Sequence, residues 1–249
     1  MKMSEYTRAE WKKMKDKPLK ERLAFFWDYY KIPTIIVVAA LLALIYTATI
    51  WITAKDEALN GMLVNSTTAM EDAAILQDFC QEAGINTKKE EIVLNTGLSM
   101  DSGVPTMDYA TYQRIHAGLA AKQTDFFIAD EGVMFQFGYD PSHMLMDLRE
   151  FLSPEQLAAF DGRIYYIDGS MCGGEFVPEG DTVTYPSPAE PETMKDPIPV
   201  GINIQDCRAF LDPYYPANQP LYFAVAVNAP HTDRTLQFFE FIMEHTNKE

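Results

Sequence analysis

Two adjacent carboxylates, Asp130 and Glu131, follow the apolar run Asp125-Phe126-Phe127-Ile128-Ala129, which reads as a β-strand. In open α/β sheets, ligands gather beyond the carboxyl ends of strands. By that rule, Ser66 and Thr67 after a first strand, Asp130 and Glu131 after this one, and Asn203 near another make a binding rim. The acids suit a cationic or hydroxyl-rich ligand, while Tyr165, Tyr166, Tyr214 and Tyr215 offer rings to stack on a sugar or amine. The same residues also have structural uses: Ser66 and Thr67 as helix caps, the acids as solvated groups, the tyrosines as packing. If the acids serve only a ligand, removing Asp130 and Glu131 together leaves stability nearly unchanged.

Other reactive groups do not converge in the sequence. His116, His143, His231 and His245 are scattered without the short spacings of zinc ligands, so neither a metal nor a cofactor is expected. His245 suits the C-terminus of a helix, where the dipole favours a cation. Of three cysteines, Cys80 falls on a buried helix stripe. Cys172 and Cys207 flank an irregular segment, and either a disulfide closing a loop of about 35 residues or two free thiols fits that placement. Ser170-Met171-Cys172-Gly173-Gly174 lacks the leading glycine of a nucleophile turn, and no phosphate-cradling glycine loop or dinucleotide fingerprint is present. Asn65-Ser66-Thr67 matches a glycosylation sequon, a pattern short enough to be common by chance.

The elements that must hold these residues alternate short apolar runs with amphipathic helices, the mark of an α/β fold. Strands are predicted at Leu59 to Val64, Ile92 to Leu94, Asp125 to Ala129, Arg163 to Asp168, Val200 to Ile204 and Leu221 to Val227. A helix from Thr68, with Glu71 completing a capping box and Gly84 as its stop, buries Ala69, Ala73, Leu76, Cys80 and Ala83. Further helices are predicted from about Met107 to Lys122, at Ser153-Pro154-Glu155-Gln156-Leu157, and from Thr232 to His245 with Leu236, Phe239, Ile242 and Met243 inward. Residues 169 to 199, rich in Pro, Gly and acids, read as an irregular excursion.

The strand ending in Asp130, the later Leu145-Met146-Asp147-Leu148 and the Ser153 to Leu157 helix resemble a segment of type 2 extracellular solute-binding proteins. Tyr222-Phe223-Ala224-Val225-Ala226-Val227-Asn228, running into Phe238-Phe239-Glu240-Phe241-Ile242, is similar to that family's returning strand and helix. The resemblance implies a periplasmic-binding-protein-like mixed sheet flanked by helices. The family builds a second lobe after the position of Tyr165-Tyr166-Ile167; here only the 169 to 199 excursion intervenes, so that lobe is expected to be small or absent.

Charge and hydropathy give the chain its expected address. Ile32 to Ala54 is a run of 23 residues without a formal charge. At about 1.5 Å per residue it reaches roughly 34 Å, enough for a hydrocarbon core of about 30 Å. It exceeds the apolar core of a signal peptide and has no lipidation cysteine at its outer end. Residues 1 to 55 carry net +5 and residues 56 to 249 net -21. Lys12, Lys13, Lys15, Lys17, Lys20, Arg22 and Lys31 therefore predict a cytoplasmic stub, residues 1 to 31, and an extracytoplasmic domain, residues 56 to 249. Leu19, Leu23, Phe26, Trp27 and Tyr30 suggest an amphipathic juxtamembrane helix, with Trp51 as the outer aromatic belt. The acidic body repels nucleic acid. The expected partners are the bilayer, a small-molecule ligand and a neighbouring membrane protein. The expected function is non-enzymatic binding of a solute or membrane neighbour; the alternatives are the substrate receptor of an ABC-type importer and a cell-surface hydrolase.

Overall fold

The computed structural model describes residues 18–67, 74–100, 109–172, 185–215 and 219–245. The chain divides into two units, Met1–Ala54 and Lys55–Glu249. In the first, one helix, α1, runs without a break from Leu19–Thr53. The expected juxtamembrane helix and apolar span are therefore one rod that runs through Pro33. The side chains of Leu23, Phe26 and Tyr30 lie outside the described residues. Within α1, Lys31–Thr49 is long and apolar enough to cross a membrane, and none of that stretch is buried by protein. The hydroxyls of Thr47 and Thr53 donate to carbonyls one turn back, Thr53 to Thr49 at 2.7 Å, so they are satisfied without water.

The second unit is built on a six-stranded mixed sheet. Its strands are β1 (Asp56–Val64), β2 (Glu90–Leu98), β3 (Phe126–Ala129), β4 (Ile164–Asp168), β5 (Pro197–Asn203) and β6 (Tyr222–Val225). The order is β2-β1-β3-β6-β5-β4. β1 is parallel to β2 and β3, whereas β6 is antiparallel to both β3 and β5, and β4 to β5. This arrangement brings the carboxyl ends of β1, β2, β3 and β5 to one edge of the sheet. Residues 164 to 203 extend the sheet that begins at Asp56, and the described residues of the excursion between them include short 3-10 turns at Gly169–Met171 and Pro191–Thr193.

Period-two alternation feeds two cores, one on each face. Leu59, Leu63, Phe126, Ile128, Ile202 and Phe223 face helices α2 (Ala74–Glu82) and α8 (Thr232–Glu244). Met62, Val64, Phe127, Ala129, Val200 and Ala224 face α3 (Tyr109–Ala120) and α4 (Glu131–Gly138). The buried residues of α8 include Phe238 and Phe241 beside Phe239 and Ile242, while Leu236 and Met243 are only partly covered. The buried face is thus turned by about one position from the expected stripe, with Leu236 and Met243 at its margin. In α2, Phe79 is buried and Cys80 only partly so. Gly84 ends this helix with φ +65°, and the expected Thr68 cap lies outside the described residues. Between β3 and β4 come α4, α5 (Leu148–Phe151) and α6 (Pro154–Ala158), and α7 (Arg208–Leu211) follows β5. α6 opens as expected with Ser153 as its cap and Pro154 in its first turn, and Gln156 completes a capping box that the sequence reading did not include.

The excursion is pinned at both ends by one carboxylate. Asp168 accepts from Ser170 N and Oγ at its start and from Lys195 N and Asp196 N at its end, over 2.7 to 3.2 Å. The Lys195 amide and the Ser170 hydroxyl favour the anion most, and the group is held down at about 2. Cys172 packs against the α3 and α4 side of the sheet, and Cys207 is buried in the core on the other side. Both are free thiols, so the loop-closing disulfide is not formed. Burial pushes Cys207 up to about 12.

Two outcomes follow from these contacts. A Cβ on Gly61 would lie 2.2 Å from the ring of Phe126, which is itself stacked against Phe223 and Phe238 at 5.0 and 5.2 Å. Gly61→Ala should cost about 1–3 kcal/mol by overpacking, read as a lowered urea midpoint. Because the folded-state pKa of Asp168 is depressed, its contribution is complete above the unfolded value near 3.8 and is lost as pH falls through about 2. The difference in Tm between the parent and Asp168→Asn should therefore shrink between pH 4 and pH 2; a constant difference would show that the charge is not what pins the loop.

Candidate functional site

The sheet gathers the expected rim on its carboxyl edge, but it commits most of its polar atoms to the fold. Asp130 caps α4: its Oδ1 accepts from Val133 N at 3.0 Å, and its Oδ2 accepts from Asn65 Nδ2 at 2.9 Å. Asn65, in the left-handed conformation at φ +57°, also accepts the Met100 amide through Oδ1 at 2.8 Å. One asparagine thereby ties the ends of β1, β2 and β3 together. This also spends the side chain that the sequon would present for glycosylation. The local signal for Asn65 was its place directly after a strand, where Asn tolerates the left-handed turn.

Ser66 and Thr67 act in turns and cross-links. Ser66 Oγ donates to Leu63 O at 2.9 Å, and both the amide and the hydroxyl of Thr67 donate to Tyr214 O, at 2.8 and 2.9 Å. Tyr215 is 2% exposed, and its hydroxyl lies 2.8 Å from Val64 O and 3.0 Å from Ile128 O, bridging β1 and β3. Burial, with the nearby Asp130 charge second, raises its pKa. Tyr165 and Tyr214 are also buried, so the expected stacking rings at 165, 214 and 215 are core residues. Their strands and turns point them inward, a choice that sequence alternation alone left open.

The remaining groups make a smaller constellation. Glu131 is exposed in the first turn of α4. Its charge raises the pKa of Tyr222 and Tyr165, second in each case to burial. Tyr222 is half-buried, stands edge-on to Tyr165 with ring centroids 5.0 Å apart, and shares a hydrogen bond with the Asn203 side chain. The Asn203 Oδ1 also accepts from Gln205 N at 2.9 Å, and its carbonyl accepts from Arg163. Glu131, Tyr222 and Asn203 thus form a carboxylate, a phenol and an amide on one edge, a set that can hydrogen-bond a cation or a polyol. The sequence marks Tyr222 only as part of a strand, because its place at the carboxyl edge depends on the antiparallel entry of β6.

Elsewhere, Tyr166 lines a groove of about 560 Å³ with Arg149, Leu152, Leu157 and Asp161, so it is not part of the rim. A second groove of the same volume lies beside α2 and β2. The His116 ring lies tilted against that of Tyr112, centroids 4.0 Å apart, and its Nε2 stands 3.8 Å from Asp140 Oδ2. Asp140 accepts from the hydroxyls of Tyr112 and Ser142, so Ser142 donates to a carboxylate and not to an imidazole. His231 Nδ1 lies 3.1 Å from the buried Asp125, and His245 Nδ1 lies 2.8 Å from Phe241 O at the end of α8. Among the described residues, no group of three His, Cys, Asp or Glu side chains is placed to hold a metal ion.

Comparison with protein-family models, curated proteins and solved structures finds no match for this chain.

The site geometry revises the expectation that both acids are dispensable for stability. Asp130→Ala removes a helix cap and strands Asn65, and should cost about 1–2 kcal/mol in chemical denaturation. Glu131→Gln should change stability by less than about 0.5 kcal/mol, as for an exposed side chain. Equal losses in the two variants would show that Asp130 is not the lock.

Proposed function

We propose that this chain is a membrane-tethered extracytoplasmic binding domain that captures a small cationic or hydroxyl-rich solute without chemical turnover. The carrying observation is Glu131, exposed beside Tyr222 and Asn203 on the carboxyl edge, while the neighbouring polar groups are occupied within the fold. The apolar stretch of α1 supports the tether, and the basic residues before it support an inward N-terminus. The single sheet, with its ligand edge at the carboxyl ends of β1, β3 and β5, supports a one-lobed relative of the periplasmic-binding-protein fold. With one lobe the site is a shallow rim, so a neighbouring membrane protein is the partner that would complete it.

The test is isothermal titration of the full chain in detergent with spermidine, free amino acids and hexoses. Binding from one class, weakened about 10–100-fold by Glu131→Gln, is expected, the equivalent of one charge-assisted hydrogen bond of about 1.5–3 kcal/mol. Unchanged affinity in Glu131→Gln would move the site off this edge. No heat with any of the three classes would overturn solute capture.

A further inference from the structure

The opposite edge of the sheet carries chemistry that the rim does not use. Lys55, Lys88 and Lys89 are three of the eleven lysines and arginines in residues 55 to 249, a stretch with 31 acids. The fold collects them. The Asp56 amide donates to Lys89 O at 2.8 Å, which sets the turn before β2 against the start of β1. Asn86 fixes that turn: it accepts the Lys88 amide through Oδ1 at 3.2 Å, and its own amide donates to Glu90 Oε2 at 3.0 Å. The lysine side chains of this turn are exposed.

Beside them runs the groove of about 560 Å³ between α2 and β2, lined by Lys55, Leu76, Ile85, Glu90, Glu91 and Ile92 among others. Its lining carries one cation, Lys55, two carboxylates, Glu90 and Glu91, and the apolar side chains of Leu76, Ile85 and Ile92. Ala54 alone separates Lys55 from Thr53, where α1 ends, so the length of the chain keeps Lys55 within about 7 Å of that end. An anion near the lysines and an ammonium near Glu91, attached to an apolar body, matches this set of groups.

We propose that this edge docks a phospholipid whose headgroup carries a phosphate and a primary ammonium, the phosphate on Lys55, Lys88 and Lys89 and the ammonium on Glu91. The proposal rests on the membrane-tether reading and adds to it a lipid preference on the outer leaflet. A domain of net charge -21 is repelled by an anionic surface as a whole. The lysine cluster offsets that repulsion locally, within a Debye length of about 8 Å, and the carboxylates select the zwitterion over a purely anionic headgroup.

The full chain is placed in nanodiscs made from phosphatidylcholine doped with phosphatidylethanolamine or phosphatidylglycerol, and lipids that stay bound after detergent extraction are counted by mass spectrometry. Phosphatidylethanolamine should be retained about tenfold over phosphatidylcholine, whose quaternary ammonium has no N–H to donate, and over phosphatidylglycerol. Lys55→Gln with Lys88→Gln and Lys89→Gln should abolish retention of all three. Glu91→Gln, a separate exposed change, should equalise phosphatidylethanolamine and phosphatidylcholine. Equal retention of the three lipids by the parent chain, or selectivity unchanged in both variants, overturns the proposal. A carbonate wash of membranes separates the two readings: release of the chain refutes the tether, whereas a chain that stays without lipid selectivity refutes only the docking edge.

Discussion

The buried carboxylate of Asp125 is the joint on which the α/β unit is assembled. The residue is fully buried at the entry to β3, and its Oδ2 accepts from Asn60 N of β1 at 2.8 Å. Its Oδ1 accepts the His231 amide at 2.8 Å, and the His231 ring lies against Oδ2. The backbone of Asp125 adds an amide bond to Asn60 O and accepts from Ala226 N. The side chain therefore joins β3 to β1 and to the start of α8, while the backbone of the same residue ties in the exit of β6. A buried charge is stable only when it is paired and hydrogen-bonded, so the three elements must arrive together or the carboxylate is left uncompensated.

Tyr215 does the corresponding work at the far end of the same strands, with one hydroxyl placed between the carbonyls of Val64 and Ile128. Between these two joints the sheet is clamped by rings: Phe126 lies between Phe223 and Phe238, and Phe238 in turn contacts Phe79 and Phe210. The result is a carboxyl edge whose backbone is held rigidly and whose polar side chains are mostly committed. Against that background Glu131 is the exposed acid of the edge, beside a Tyr222 and an Asn203 that are hydrogen-bonded to each other. A site built on strand ends so fixed is positioned more precisely than one on a long loop.

Local signals were legible where local chemistry decides the outcome. The Ser153 cap with Pro154 behind it, the Gly84 stop and the alternating strands around Phe126 need only neighbouring residues, and each appears where the sequence places it. The helix at Glu131–Gly138 was not legible, because Gly132 and its short length hid a segment whose cap, Asp130, looked like a ligand group. Phe79 and Phe238 were missed for a related reason: how wide a stripe a helix buries depends on what packs against it. The turn at Asn65 had a local signal, but the partners of Asn65 and Asp125 had none, since they lie 35, 65 and 106 positions away.

From the sequence alone came the mixed α/β composition, the apolar segment long enough for a bilayer, and the division of charge across it, since composition and periodicity are properties of the chain as written. The tertiary structure decided which side chains of the rim remain open. Hydrogen-bond partners distant in the chain claim Asp130, Thr67 and Tyr215, and only the packed sheet brings those partners within reach, while Ser66 is claimed by a turn to Leu63 O. It also decided that Cys172 and Cys207 stay apart, because the sheet itself stands between the cores that hold them.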